Sequence, residues 1–346
     1  MKKKIIQLLI FLSLGIFFIW ISMRNLSPED MGKIKESAIG ILNPNSMFFI
    51  FLSMICGAFA HYFRALRNIL LIDPLGYRVR KSTAFYSIMV CYLSNLAIPR
   101  LGEVLRCTFL QRYDNVPFQK SFGTVVVDRV LDLLIFALLF VLIIFLNKEL
   151  LSELVINKEG ITLGMKINEI WAFLWNLKYL CLGIIIGVAI GIFIIKKRKV
   201  AKPQSKIIAK VKNIITGLWQ GLISIKDLKH PYLFVIYTIA IWVFYYLGTM
   251  ICFLAFDFLQ GLGLMPAFMV LVVGAIGFMV AQGGLGAYPL IVSGILMLYG
   301  VDYAQGLAAG WIGWSAQTIM ILIVGFASLM LASFLKIEDR AINNDK

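Results

Sequence analysis

Between Asp128 and Asp132 the chain reads D-R-V-L-D, inside a run that otherwise carries no charge. On a helix, a spacing of four puts the two carboxylates on one face, and Arg129 reaches Asp132 at a spacing of three. Ionisable groups at membrane depth cost about 2.5–3.5 kcal/mol each on insertion scales, so each needs a reason. Two readings stay open. One is a self-satisfied ion cluster that pins the helix in a bundle; the other is a part in a substrate or ion path.

Arg100, Glu103 and Arg106 form a second group, again spaced by three. If the chain from Val104 onward is helical, Gly102 and Glu103 lie at its N-terminus, where free backbone N–H groups favour anions. Two arginines there suit a phosphate, which guanidinium groups bind in forked pairs. The alternative is a cytoplasmic cap with its charges in water. Asn95 precedes Pro99 by one turn, and Gln282 precedes Gly283, Gly284 and Gly286. Both amides suit unwound backbone. Tyr288, Trp311, Trp314 and Gln317 are candidates to line an outer cavity, although Trp and Tyr also gather at membrane interfaces. Arg64 and Arg67 read as positive-inside anchors after the second span.

No established enzyme constellation accompanies these groups. The chain has no G-x-x-x-x-G-K-[ST], no G-x-S-x-G and no H-E-x-x-H. With two histidines and five cysteines far apart (Cys56, Cys91, Cys107, Cys181 and Cys252), no usual zinc ligand set is within reach. No cofactor and no metal are expected.

The elements that must position these residues are membrane helices. Of the 346 residues, 60% are hydrophobic and 15% charged, and the mean hydropathy is +0.88. A soluble domain carries about 45–50% apolar and about 25% charged residues. A soluble enzyme, a disulfide scaffold and a disordered chain are excluded. Runs long enough to cross a bilayer are Ile5–Met23, Pro44–Phe63, Ser121–Asn147, Tyr179–Ile195, Pro231–Phe256 and, from about Ala308, the end of Tyr303–Leu335. Two further runs break. Ser82–Pro99 meets P-R-L-G-E before the short piece Val104–Leu110, and Met265–Ala281 meets Q-G-G-L-G-A-Y-P before Leu290–Tyr299. Irregular backbone at membrane depth is tolerated only where protein or a watery cavity satisfies it.

Charge decides between crossing and re-entrance. If both broken segments return to the side they entered, and the N-terminus is cytoplasmic, 25 basic residues lie inside and 7 outside, with Arg129 in the membrane. A full crossing by Ser82–Pro99 would turn the ten-charge stretch Lys196–Lys229 outward, against the positive-inside rule. The expected fold is thus an all-α polytopic membrane protein. It has about six full spans and two re-entrant broken segments, arranged as an inverted repeat (residues 1–150 and 170–346), with both termini cytoplasmic. Paired breaks in inverted repeats point to a transporter's binding site. The connector 196–229 carries apolar residues at helical spacing among lysines, which suits an amphipathic helix on anionic lipids of the inner leaflet. No basic domain outside the bilayer exists to bind nucleic acid.

N-L-A-I-P-R-L-G-E-V-L-R (Asn95–Arg106), T-V-V-V-D-R-V-L-D (Thr124–Asp132) and G-G-L-G-A-Y-P (Gly283–Pro289), in that order, resemble the flippase-like membrane domain. That domain is the membrane half of the bacterial phosphatidylglycerol lysyltransferases, the multiple peptide resistance factors, and also occurs as free-standing proteins. The second motif in the family more often reads E-R-x-x-D, and the glycine motif usually opens with proline. The resemblance covers nearly the whole chain. It implies movement of an anionic or aminoacylated phospholipid, or a lipid-linked carrier, between leaflets of the bacterial inner membrane. Two-domain members carry a cytoplasmic synthase after the membrane part. Here the chain ends eleven residues after Leu335, so that half is expected to be absent and the chain is expected not to be an enzyme. Arg100, Arg106 and Arg129 are expected to meet phosphate, with Asp128, Asp132 and Glu103 balancing charge or carrying a coupling proton. The rivals are an intramembrane lipid-modifying enzyme with Asp128 or Glu103 as general base, and a non-transporting partner of a separate aminoacyl- or glycosyltransferase. A homodimer, or association with a separate synthase, is compatible with all three.

Overall fold

A computed structural model describes residues 13, 15–24, 26–147 and 226–344. Among them the chain is all helix and connecting turn. In chain order the helices are α1 (15–23), α2 (Pro28–Gly40), α3 (Pro44–Ile72), α4 (Lys81–Ala97), α5 (Leu101–Asp114), α6 (Phe118–Leu146), α7 (Pro231–Phe253), α8 (Leu264–Val280), α9 (Ala287–Met297) and α10 (Tyr303–Asn344). Contacts divide the chain into one unit of residues 1–140 and 215–346 and another of 141–214. The described part of the second unit is the helical end of α6, finished by Asn147, whose side-chain amide donates to the Ile143 carbonyl at 3.0 Å. The first unit carries everything discussed below.

Among the described residues four stretches are long and apolar enough to cross a membrane: Pro44–Leu75, Phe118–Leu146, Pro231–Phe253 and Tyr303–Leu335. They match four of the expected spans. One boundary needs correction. The second span does not stop at Phe63, because α3 continues through Arg64 and Arg67 to Ile72. The residues after Arg67, Asn68–Ile72, are largely apolar and nothing in them ends a helix. Of Ile5–Met23 only the C-terminal part is described, as α1; Tyr179–Ile195 and nearly all of the connector 196–229 lie outside the described residues.

Local chemistry sets the helix starts. Ser27 and Asp30 form a reciprocal capping box at α2, with Pro28 in its first turn, and Asn43 caps α3 ahead of Pro44. Both broken runs appear where the sequence places them. In the first, Ile98 is extended and Arg100 adopts φ +61° before α5 begins at Leu101, earlier than the expected Val104. In the second, Gly283, Gly284 and Gly286 all have positive φ between α8 and α9. Residues with a Cβ pay for that conformation, which explains the glycines and makes Arg100 a strained exception.

Packing around the breaks is close. Ala65 and Ile72 of α3, Ala84 and Ile88 of α4 and Leu110 of α5 share one buried apolar cluster. Leu71, Val127 and Phe234 join α3, α6 and α7. Helices α3 and α7 also interlock through Phe244, which stacks on Phe59 and Phe63 at 5.4 Å each. These contacts bring the charged faces of α3, α5 and α6 together.

Candidate functional site

Helix α6 presents Asp128 and Asp132 on one face, as their spacing requires, but their partners come from other helices. Arg67 of α3 is fully buried and donates from Nε and Nη2 to Asp128 Oδ1, at 3.0 and 2.5 Å. The same Nη2 donates to Asp132 Oδ1 at 2.6 Å. Arg64, one turn earlier, pairs with Asp132 through Nη1. Arg106 of α5 donates from Nη1 to Asp128 Oδ2 at 3.2 Å. Arg64 and Arg67 are therefore not anchors in water, as the positive-inside reading had them; they are buried members of the ion cluster.

Arg129 also differs from expectation. It turns away from Asp132, which Arg64 and Arg67 already hold, and Nη2 donates to Glu103 Oε1 of α5 at 2.6 Å. Helices α5 and α6 are thus joined by two ion pairs one turn apart, Glu103–Arg129 and Arg106–Asp128. The two differ in setting. Asp128 is 1% exposed, whereas Arg129 is 43% and Glu103 20% exposed.

The breaks support this network. The Gly102 N–H donates to Asn95 Oδ1 at 2.8 Å, and the Asn95 amide lies 3.4 Å from both Glu103 carboxylate oxygens. Gly102 packs so closely on the Cys91 carbonyl that a Cβ there would overlap it. Across the fold, Gln282 donates from Nε2 to the Leu96 carbonyl at 3.0 Å and the Asn95 carbonyl at 3.4 Å. The second break therefore touches the first. Trp314 Nε1 donates to the Gly283 carbonyl at 2.6 Å, bracing the glycine turn.

Other candidate residues lie apart from the charges. Tyr288 packs on Phe278 at 5.0 Å and against Gly274 and Gly277. Gln317 donates to the Ser53 carbonyl at 3.3 Å. Arg100 is exposed at the first break, with no side-chain partner among the described residues. Sequence reasoning missed Arg64 and Arg67 as site members. It also missed the aromatic pocket beside them, where the His61 ring lies 4.3 Å from Tyr92 and its Nδ1 is 3.4 Å from the Tyr245 hydroxyl. The available signal was a second i, i+3 arginine pair followed by more apolar helix.

The cluster has one further property. Arg64 Nε, Arg67 Nη1, and Nε and Nη2 of Arg106 are buried without a hydrogen-bond partner among the described residues. Buried guanidinium donors are costly to leave unpaired, and guanidinium suits a tetrahedral oxyanion well. The site can hold an anion next to its own carboxylates.

No curated protein and no solved structure shows significant similarity to the chain. The model of one family, described as the lysylphosphatidylglycerol synthase TM region, matches residues 4–325, and on that match across nearly the whole chain the protein belongs to this membrane-domain family.

Proposed function

We propose that the chain is a flippase-like lipid translocase of a bacterial cytoplasmic membrane, which moves an anionic or aminoacylated phospholipid, or a lipid-linked carrier, between leaflets. One observation carries this reading: two broken helices meet through Gln282, and beside them stands an arginine-rich ion network whose buried donors are in part unpartnered among the described residues. Broken helices paired near the midplane are how many transporters place polar groups around a substrate. In the proposed topology both broken segments re-enter, the two pseudo-repeats are inverted, and both termini face the cytoplasm. Three of the basic residues first counted as cytoplasmic, Arg64, Arg67 and Arg106, are buried, yet the cytoplasmic excess survives their removal.

The chain acts without chemistry on the lipid in this reading. The enzyme alternative asks Asp128 or Glu103 to accept a proton, but each already accepts hydrogen bonds from guanidinium groups. Lipid-related function also fits the family description, the lysylphosphatidylglycerol synthase TM region.

The test is reconstitution. Purified protein in proteoliposomes is expected to move fluorescent phosphatidylglycerol between leaflets, read by quenching of the outer leaflet, with the lipid unchanged on extraction. A new lipid species dependent on Asp128 would favour the enzyme. No movement and no chemistry would favour a non-transporting partner role.

A further inference from the structure

We propose that the network is built one negative charge short, and that the phosphodiester of a lipid headgroup completes it by displacing Glu103 from Arg129. The inference rests on the lipid-translocase reading and sharpens it, because it names the charge of the group that binds. Among the described residues four guanidinium groups take part: Arg64, Arg67, Arg106 and Arg129. Three carboxylates answer them: Asp128, Asp132 and Glu103. At ordinary ionisation this leaves one positive charge. Tyr92 and Tyr245, the aromatic groups packed around His61 beside Arg64, add no carboxylate to the network.

The unanswered charge has a location. Arg106 is 2% exposed, and among the described residues only one of its three nitrogens has a partner. Its neighbours on the face of α5 and across on α6 are Glu103 and Arg129, the partly exposed pair. An incoming anion meets Arg129 first, replaces Glu103 there, and finds the free Arg106 donors beneath. Glu103 is then an internal stand-in for the phosphate, holding Arg129 in place while the site is empty. In the empty site Asn95 already lies 3.4 Å from both oxygens of that carboxylate.

Charge number follows from desolvation. The cost of bringing an ion into a low-dielectric site rises with the square of its charge, while attraction to a fixed surplus rises only linearly. A monoanionic phosphodiester balances the network, whereas a dianionic phosphomonoester overshoots it and leaves a buried negative charge unpaired.

The experiment measures binding, so it is separable from transport. Full-length protein in detergent at pH 8, where a phosphomonoester carries its second charge, is titrated with short-chain phosphatidylglycerol, short-chain phosphatidic acid and inorganic phosphate. Tryptophan fluorescence and thermal shift report binding. Phosphatidylglycerol is expected to bind tighter than phosphatidic acid by about tenfold or more. Glu103→Gln adds one positive charge and removes the competitor, so the affinity for phosphatidic acid should rise by about tenfold and the gap should close or reverse. Glu103→Gln with Arg129→Gln restores the original charge and should restore the preference at lower affinity. Phosphatidic acid binding the wild type as tightly as phosphatidylglycerol would overturn the proposal whether or not the variants fold. An unchanged preference in a folded Glu103→Gln protein would overturn it too. Inorganic phosphate binding as tightly as the lipids would overturn the headgroup assignment. If the preference holds and proteoliposomes move no lipid, the translocase reading fails and the site stands.

Discussion

The Arg67–Asp128 contact and the Arg129–Glu103 contact use the same chemistry, a guanidinium donating to a carboxylate, in two settings. Arg67 is fully buried and shared between two aspartates, whereas Arg129 is 43% exposed and answers one glutamate. A buried pair repays its desolvation only while every partner is present, and removing one member strands a charge. A half-exposed pair is screened and contributes little to folding. The first is suited to holding three helices in register, the second to being exchanged. A single D-R-V-L-D run thus supplies both an anchor and a movable contact, because Asp128 and Arg129 point to different sides of α6.

The sharpest way to break this contrast is Arg67→Ala. It leaves Asp128 and Asp132 facing each other with fewer partners and is expected to destabilise by about 3–5 kcal/mol, read by thermal or denaturant unfolding in detergent micelles. A loss as small as that of a surface pair would show that the cluster is wetter than its burial implies. Next comes Gly102→Ala, which forces a methyl group toward the Cys91 carbonyl. Overpacking of this kind costs about 1–3 kcal/mol, and the shift it imposes at Glu103 should weaken lipid movement as well. Arg129→Ala is expected to cost about 0–1 kcal/mol of stability while abolishing transport in proteoliposomes. If instead it unfolds the protein and Arg67→Ala does not, the assignment of anchor and exchangeable contact is reversed.

The smallest effect belongs to a third pair outside the spans, where Lys33 of α2 meets Asp302 ahead of α10 at 3.2 Å. Hydrogen bonds to Asp302, then Glu29, hold Lys33 protonated to higher pH than a free lysine. Its contribution is complete below the ordinary lysine range and is lost as pH rises through the raised value. Lys33→Ala should leave the melting temperature at pH 7 nearly unchanged, and melting curves of wild type and variant should converge further at high pH. A large drop at pH 7 would mean that exposed pairs matter here more than the comparison allows.

The breaks and four of the apolar spans were legible in the sequence because glycine, proline and hydrophobic run length act locally. So was the shared face of Asp128 and Asp132, which follows from helical spacing alone. Partner choice was not legible. The local rule pairs Arg129 with Asp132, but the tertiary fold offers Asp132 two arginines from α3, 65 and 68 residues away. Arg64 and Arg67 were misread for a related reason. Arginines near the end of a span usually mark its cytoplasmic edge, and nothing in the spacing says that the helix carries them on into the protein interior. The apolar stretch Ile69–Ile72 was the available warning. The meeting of Gln282 with Asn95 and Leu96 joins segments more than 180 residues apart, beyond the reach of any local pattern.

The buried arginines of α3 also impose an order on biogenesis. Ribosomes deliver α3 before α6, and the carboxylate that Arg67 needs lies 61 residues further along the chain. At synthesis rates of about 5–20 residues per second, the interval is roughly 3–12 seconds. During it neither Asp128 nor Asp132 is available to Arg64 and Arg67, and two guanidinium groups must wait outside the hydrocarbon core or find other partners. Settling α3 at its full depth before α6 is made would strand both charges, so the pairing favours insertion of the two helices together.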